Sequence, residues 1–211
     1  YDAEEWAFHY MANVFNHKAT KDDFLTFKKI NHQHWEAFQQ NKLTKSEVLS
    51  ERFVNYFKHH QMEVDGHRAD VLFRNGLAEA KVKYFDQTLE TIVELSKRHD
   101  LYIVTNGVTE TQKRRLNQTP LHKYIKKIFI SEETGYQKPN PEFFNYVFND
   151  IGEDERQHSI IVGDSLTSDI LGGINAGIAT CWFNFRGFDH NPGIIPDYEI
   201  NSWKQLNDIV R

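Results

Sequence analysis

Two carboxylates stand five residues apart in the run Gly163-Asp164-Ser165-Leu166-Thr167-Ser168-Asp169. With Asp164 at the end of a strand and Asp169 on the first turn of the next helix, both can converge on a hard, oxygen-preferring cation such as Mg2+. The simpler reading of Asp169 is a favourable charge near a helix N-terminus. Thr105-Asn106-Gly107 offers a hydroxyl, an amide and backbone N–H groups where a strand gives way to a helix, which suits a phosphate oxygen. A plain turn uses the same residue types. Lys138, in Lys138-Pro139-Asn140-Pro141, is a compact point charge suited to phosphate, with Pro139 stiffening the backbone beside it. A lone lysine is more often simply solvated. Each segment alone is ambiguous; together they are more specific, because each is expected just after its own strand.

Those strands are short apolar, partly β-branched runs at Leu101–Val104, Ile128–Ile130, Ser159–Val162 and Ile178–Phe183. Amphipathic stretches near 87–98, 109–118, 141–150 and 168–176 separate them, with a last helix near 202–210. Alternation of this kind predicts βαβ units and a parallel sheet. In such sheets ligands bind at the carboxyl ends of strands, where all three polar segments lie. Thr109 with Gln112 reads as a capping box, and Asn140 before Pro141 as a cap followed by a first-turn proline. Asp189 to Pro196 reads as a surface loop.

Residues 1–80 show no strand pattern. Phe24, Phe27 and Ile30, then Val48, Leu49, Phe53 and Phe57, recur at helical spacing. Three or four helices fit, with a capping box at Thr44 and Glu47 and a break at Asp65-Gly66. The expected organisation is an all-helical domain over 1–80 and a Rossmann-like α/β core over 81–211.

The chain has 211 residues, 25 basic against 30 acidic, for a formal net charge of −5. With no basic stripe to track a phosphate backbone, nucleic acid is not an expected partner. No apolar run approaches the roughly 20 residues of a membrane span, and the lone Cys181 has no disulfide partner within the chain. The expectation is a cytoplasmic protein with no membrane partner.

Leu101–Gly107, Lys138 and Gly163–Asp169 resemble the second, third and fourth motifs of the haloacid dehalogenase-like superfamily, and the likeness covers all of 85–185. Gly172-Gly173-Ile174-Asn175-Ala176-Gly177 is similar to its passage into the last strand. More narrowly, Asp100–Thr109, Thr134-Gly135-Tyr136-Gln137-Lys138-Pro139 and Gly163–Gly173 resemble the bacterial pyrimidine 5′-nucleotidase branch, whose helical cap corresponds to residues 1–80. The resemblance implies a Mg2+-dependent phosphatase working through a phosphoaspartate, with a nucleoside 5′-monophosphate, preferably pyrimidine, as substrate. Thr105, Asn106, Gly107 and Lys138 would hold the phosphate, Lys138 also neutralising the nucleophile. Asp164 would ligate Mg2+, and Asp169 would join the metal site or orient Lys138 or a metal-bound water. Thr105, Lys138 and Asp169 are thus the expected catalytic set.

The superfamily's first motif, a strand ending in Asp-x-Asp-x-Thr, has no counterpart in the sequence. Tyr84-Phe85-Asp86-Gln87-Thr88 imitates only its second half, with Tyr84 where the nucleophile would stand. The resemblance implies a further strand and loop upstream of residue 1, on the order of a dozen to twenty residues.

Other phosphomonoesters, such as phosphoglycolate or a sugar phosphate, are alternative substrates. A 2-haloacid dehalogenase is disfavoured because that chemistry needs no metal, whereas a binding module without a nucleophile would not need the whole motif set. His32 and His34 do not share a helix face, and His59-His60 are most simply solvated. Trp35, Phe38, Phe53 and Phe57 read as bundle core before base-stacking surface. Cys181 reads as buried and inert.

Overall fold

The structure is a computed structural model that describes residues 2–210. The chain divides into two compact units, residues 1–83 with 111–118, and residues 84–110 with 119–211.

The first unit is built from α1 (Asp2–Val14), α2 (Lys21–Gln39), α3 (Lys45–Lys58) and α4 (Gly66–Glu79). The helical spacing of aromatics places Phe8, Phe24, Phe27, Phe53, Tyr56, Phe57 and Phe73 in one core. Phe27 stacks on Phe8 at 5.0 Å and on Phe53 at 5.2 Å between ring centroids. Phe38 is buried too, and Trp35 packs edge-on against it, so these four aromatics serve the bundle as expected. Thr44 and Glu47 form the expected capping box, and the Asp65 side chain caps α4. A second box, Thr20 with Asp23, starts α2. Buried Asp70 binds Arg52 and Arg74, each at 2.6 Å.

The second unit holds two parallel sheets. One pairs β1 (Tyr102–Thr105) with β2 (Lys127–Ile130), aligning Val104 with Phe129. The other has the order β3 (Ile160–Gly163), β4 (Ala179–Phe183), β5 (Tyr198–Ile200). Gly163 lies opposite Trp182, and Phe183 opposite Ile200. Among the described residues, no strand pairs with the second edge of β1 or of β3.

Side-chain alternation divides the second unit's core into two faces. Phe129 and Ile161 pack with Phe143, Phe144, Val147 and Phe148 of α8 (Pro141–Ile151). Ile160, Val162, Cys181, Phe183 and Ile200 pack with Leu95 of α5 (Thr88–Leu95) and Leu206 of α10 (Leu206–Ile209). Parallel strands covered on both faces are the expected α/β architecture.

Several local expectations are corrected. β5 falls in a stretch read without a strand, and the last helix is a single turn, Trp203–Gln205, followed by the short α10. The helix after β3 opens as a wide π-type turn, Leu166–Ile170, before α9 (Leu171–Ala176). Asn140 precedes α8 but its side chain makes no capping bond. At α6 (Thr109–Asn117) the Thr109 N–H is held by the Glu132 carboxylate at 2.7 Å, in place of a local Thr109–Gln112 box.

Candidate active site

Thr105 ends β1 and Asp164 directly follows β3, whereas Lys138 lies eight residues beyond β2, past a helical turn at Ser131–Thr134. Thr105 is the last residue of β1, and its hydroxyl oxygen accepts the Gly107 N–H at 3.0 Å, tightening the turn. Lys138 lies in the loop before α8, next to a cis Lys138–Pro139 peptide, and is 5% exposed. Its ammonium donates to the Val104 carbonyl at 2.8 Å and to Asp169 Oδ1 at 2.6 Å. One buried cation thus joins the carboxyl end of β1 to the turn that follows β3.

Both Asp169 oxygens have partners. Oδ1 takes the Lys138 ammonium, and Oδ2 accepts the Ser165 N–H at 3.1 Å. This geometry makes Asp169 the residue that holds Lys138. Gly163 is required beside it, because a Cβ there would collide with the Asp169 carboxyl group. Ser165 completes the turn by accepting the Ser168 N–H on its hydroxyl at 3.2 Å.

Asp164 is placed differently. Its side chain is 50% exposed, and its backbone carbonyl is fixed by the Trp182 indole N–H at 3.1 Å. Crowding by protein atoms, then the neighbouring Asp169 charge, push its carboxyl above the ordinary pKa, while Arg186 pulls the other way. With Arg186 as its charged partner on one side, this half-exposed carboxylate is open on the other. An oxygen-ligated dication fits it, since Mg2+ binds through one or two carboxylates and completes its shell with water and phosphate oxygens. Asp169 has no comparable opening, so of the two carboxylates Asp164 is the one that could hold a metal ion.

Asn106 is the residue whose role departs most from expectation. Its side chain is buried, donates from Nδ2 to the Lys138 carbonyl at 2.8 Å and accepts the Lys138 N–H on Oδ1 at 2.9 Å. The amide therefore positions the lysine loop, while in the same turn the Gly107 N–H bonds to the Thr105 hydroxyl oxygen.

Arg186, which the motifs did not single out, lies 3.5 Å from Asp164 Oδ2 with its guanidinium over the Phe185 ring. Its signal in sequence was only its position, three residues beyond the end of β4. The Tyr84-to-Thr88 segment leads into α5 as expected, the Phe85 carbonyl accepting the Thr88 hydroxyl at 2.7 Å.

The chain is similar to known proteins over most of its length. The HAD-hydrolase YfnB of Bacillus subtilis (strain 168) is 42% identical over 191 residues, covering 90% of this chain and 81% of YfnB. Its crystal structure, bound to magnesium, superposes with a TM-score of 0.93 over 100% of this chain and 92% of that one, at 40% identity. The pyrimidine 5′-nucleotidase PynA of Streptococcus pneumoniae (strain ATCC BAA-255 / R6) is 33% identical, covering 92% of this chain and 80% of PynA. The pyrimidine 5′-nucleotidase YjjG of Escherichia coli (strain K12) is 31% identical, covering 90% and 84%. The sequence model of the haloacid dehalogenase-like hydrolases matches residues 3–183, and the chain belongs to that family of enzymes.

Proposed function

We propose that this hydrolase is a Mg2+-dependent phosphatase acting on nucleoside 5′-monophosphates, with pyrimidine nucleotides preferred. The observation that carries the reading is the buried Lys138 ammonium, held at 2.8 Å from Val104 O and 2.6 Å from Asp169 Oδ1 at the ends of two strands. A fixed, desolvated cation there is suited to the charge on a transferring phosphoryl group. The substrate class is supported by the names of PynA and YjjG.

In this reading Thr105 donates its hydroxyl to a phosphate oxygen, and the Gly107 turn keeps the backbone close. Lys138 offsets negative charge on the same group, with Asp169 preventing the ammonium from swinging away. Asp164 holds the Mg2+, which supplies electrostatic stabilisation of the phosphoryl oxygens when bound.

The nucleophile is an aspartate on a further strand. Among the described residues no strand pairs with the second edge of β1 or of β3, which supports this, because a strand between them would pair both edges. Attack by that aspartate forms a phosphoaspartate and releases the nucleoside; water then cleaves the phosphoenzyme. The helical unit over 1–80 acts as the cap.

The test is phosphate release by the natural full-length polypeptide from a panel of nucleoside monophosphates, phosphoglycolate and sugar phosphates, with and without Mg2+. Turnover of pyrimidine nucleotides that needs Mg2+ and is lost in Lys138→Ala and Asp164→Asn is expected. Fastest turnover of phosphoglycolate or a sugar phosphate would reassign the substrate, and turnover indifferent to Mg2+ would remove Asp164 from the mechanism.

A further inference from the structure

The first unit carries a cluster of coordinating side chains far along the chain from the residues of the active site. His17 lies in the turn after α1, Asp23 in the first turn of α2, and His60 in the turn that ends α3. Each offers one ligand atom, and the three atoms lie within 4.8 Å of one another. The His17 and His60 rings are 4.4 Å apart between centroids, and His60 Nε2 is 3.2 Å from Asp23 Oδ1.

The three residues are individually held in place. Asp23 spends its other oxygen, Oδ2, on the Thr20 N–H and hydroxyl, each at 2.7 Å, so the capping box fixes the carboxylate while Oδ1 faces the histidine. The buried Tyr56 hydroxyl lies 2.8 Å from His17 Nε2 and orients that ring. All three side chains are only partly buried, which leaves an approach for a solute.

We propose that His17, Asp23 and His60 form a binding site for a divalent transition-metal ion. Two imidazoles and one carboxylate suit Zn2+ and its neighbours, whereas Mg2+ strongly prefers an all-oxygen shell. Tetrahedral ligation at Zn–N and Zn–O bonds near 2.0–2.1 Å separates ligand atoms by about 3.4 Å, so small side-chain rotations close the cluster on an ion. The ion ties the turn after α1 and the first turn of α2 to the turn that ends α3, adding to the His17–Tyr56 hydrogen bond, the His60–Asp23 ion pair and the ring contacts there. The site is separate in chemistry from that of Asp164, and it takes no part in the proposed phosphatase reaction.

The experiment titrates Zn2+ into tag-free full-length protein carrying Asp164→Asn, which removes the carboxylate of the active site from the count. Isothermal calorimetry is expected to show one equivalent of Zn2+, at least about tenfold weaker in His17→Ala and in His60→Ala, and unchanged in His32→Ala. Zn2+ at a hundredfold excess over Kd is expected to raise the unfolding midpoint of the parent by about 5 °C or more, and not that of the two variants. Far-UV circular dichroism checks that the alanine variants fold, with His60→Gln as the replacement for one that does not. No Zn2+ equivalent in the parent, or equal binding in the parent and both histidine variants, would overturn the proposal.

Discussion

The Asn106 side chain closes a two-point contact with the backbone of Lys138, donating to its carbonyl at 2.8 Å and accepting its N–H at 2.9 Å. The amide thereby fixes the start of the side chain whose other end is fixed by Val104 O and Asp169. Asn106→Ala leaves two buried backbone groups without a partner, at about 1–3 kcal/mol each and so roughly 2–6 kcal/mol of stability. Because small displacements of a catalytic group are expensive, kcat is expected to fall about 100-fold while KM changes little. Steady-state kinetics and urea unfolding on the same preparation check both; an unchanged kcat would mean that Lys138 holds its place without the amide.

Gly163 leaves room for the Asp169 carboxyl group, which a Cβ would displace. Gly163→Ala is therefore expected to cost about 3 kcal/mol or more of stability, since the added Cβ also meets Asp169 Cβ and the backbone of the turn must shift with the side chain. Activity should fall as well, by about 100-fold or more, because the shifted side chain is the one that holds Lys138. A variant equally impaired in stability but fully active would show that Lys138 does not depend on Asp169.

Arg186 stands 3.5 Å from Asp164 Oδ2, a position that repels an incoming dication. Arg186→Gln is expected to tighten Mg2+ binding by up to about fivefold, the scale of a partly exposed ion pair. Calorimetric titration with Mg2+ decides; weaker binding in the variant would make Arg186 an orienter of Asp164 rather than a competitor.

Burial pushes the Cys181 thiol from 9.0 up to about 11. The folded chain then keeps the proton at pH values where the unfolded chain loses it, so stability is full below about pH 9 and declines as pH rises toward about 11. The decline from this group amounts to roughly 2–3 kcal/mol. Urea midpoints across that range, compared with Cys181→Ala, isolate it: the variant should show a flatter decline, and parallel curves would refute the assignment.

The four longer strands were legible within one residue at their starts or ends, because Leu101–Val104, Ile128–Ile130, Ser159–Val162 and Ile178–Phe183 are runs of apolar residues flanked by helical periods. Tyr198-Glu199-Ile200 is too short to display a period, and its place on β4 is set by tertiary pairing. The Thr20–Asp23 box escaped notice because aspartate, in place of the usual Glu or Gln, stands at its third helical position. The motif residues were legible as types at strand ends, but their pairings were not. Asn106 and Lys138 are 32 positions apart, and nothing local indicates that an amide in one loop will grip the backbone of another. His60 read as solvated for the same reason: its companions His17 and Asp23 come from the turn after α1 and from α2.

Among the described residues, each strand pairing in the second unit joins a strand to its immediate successor along the chain, β1 to β2, β3 to β4 and β4 to β5. Contacts between near neighbours in sequence close small loops and form quickly. The two half-sheets are therefore expected to acquire hydrogen-exchange protection at separate, independent rates during refolding, and a single shared rate would contradict this. The place between β1 and β3, where the further strand is proposed, would then be the last in this unit to become native.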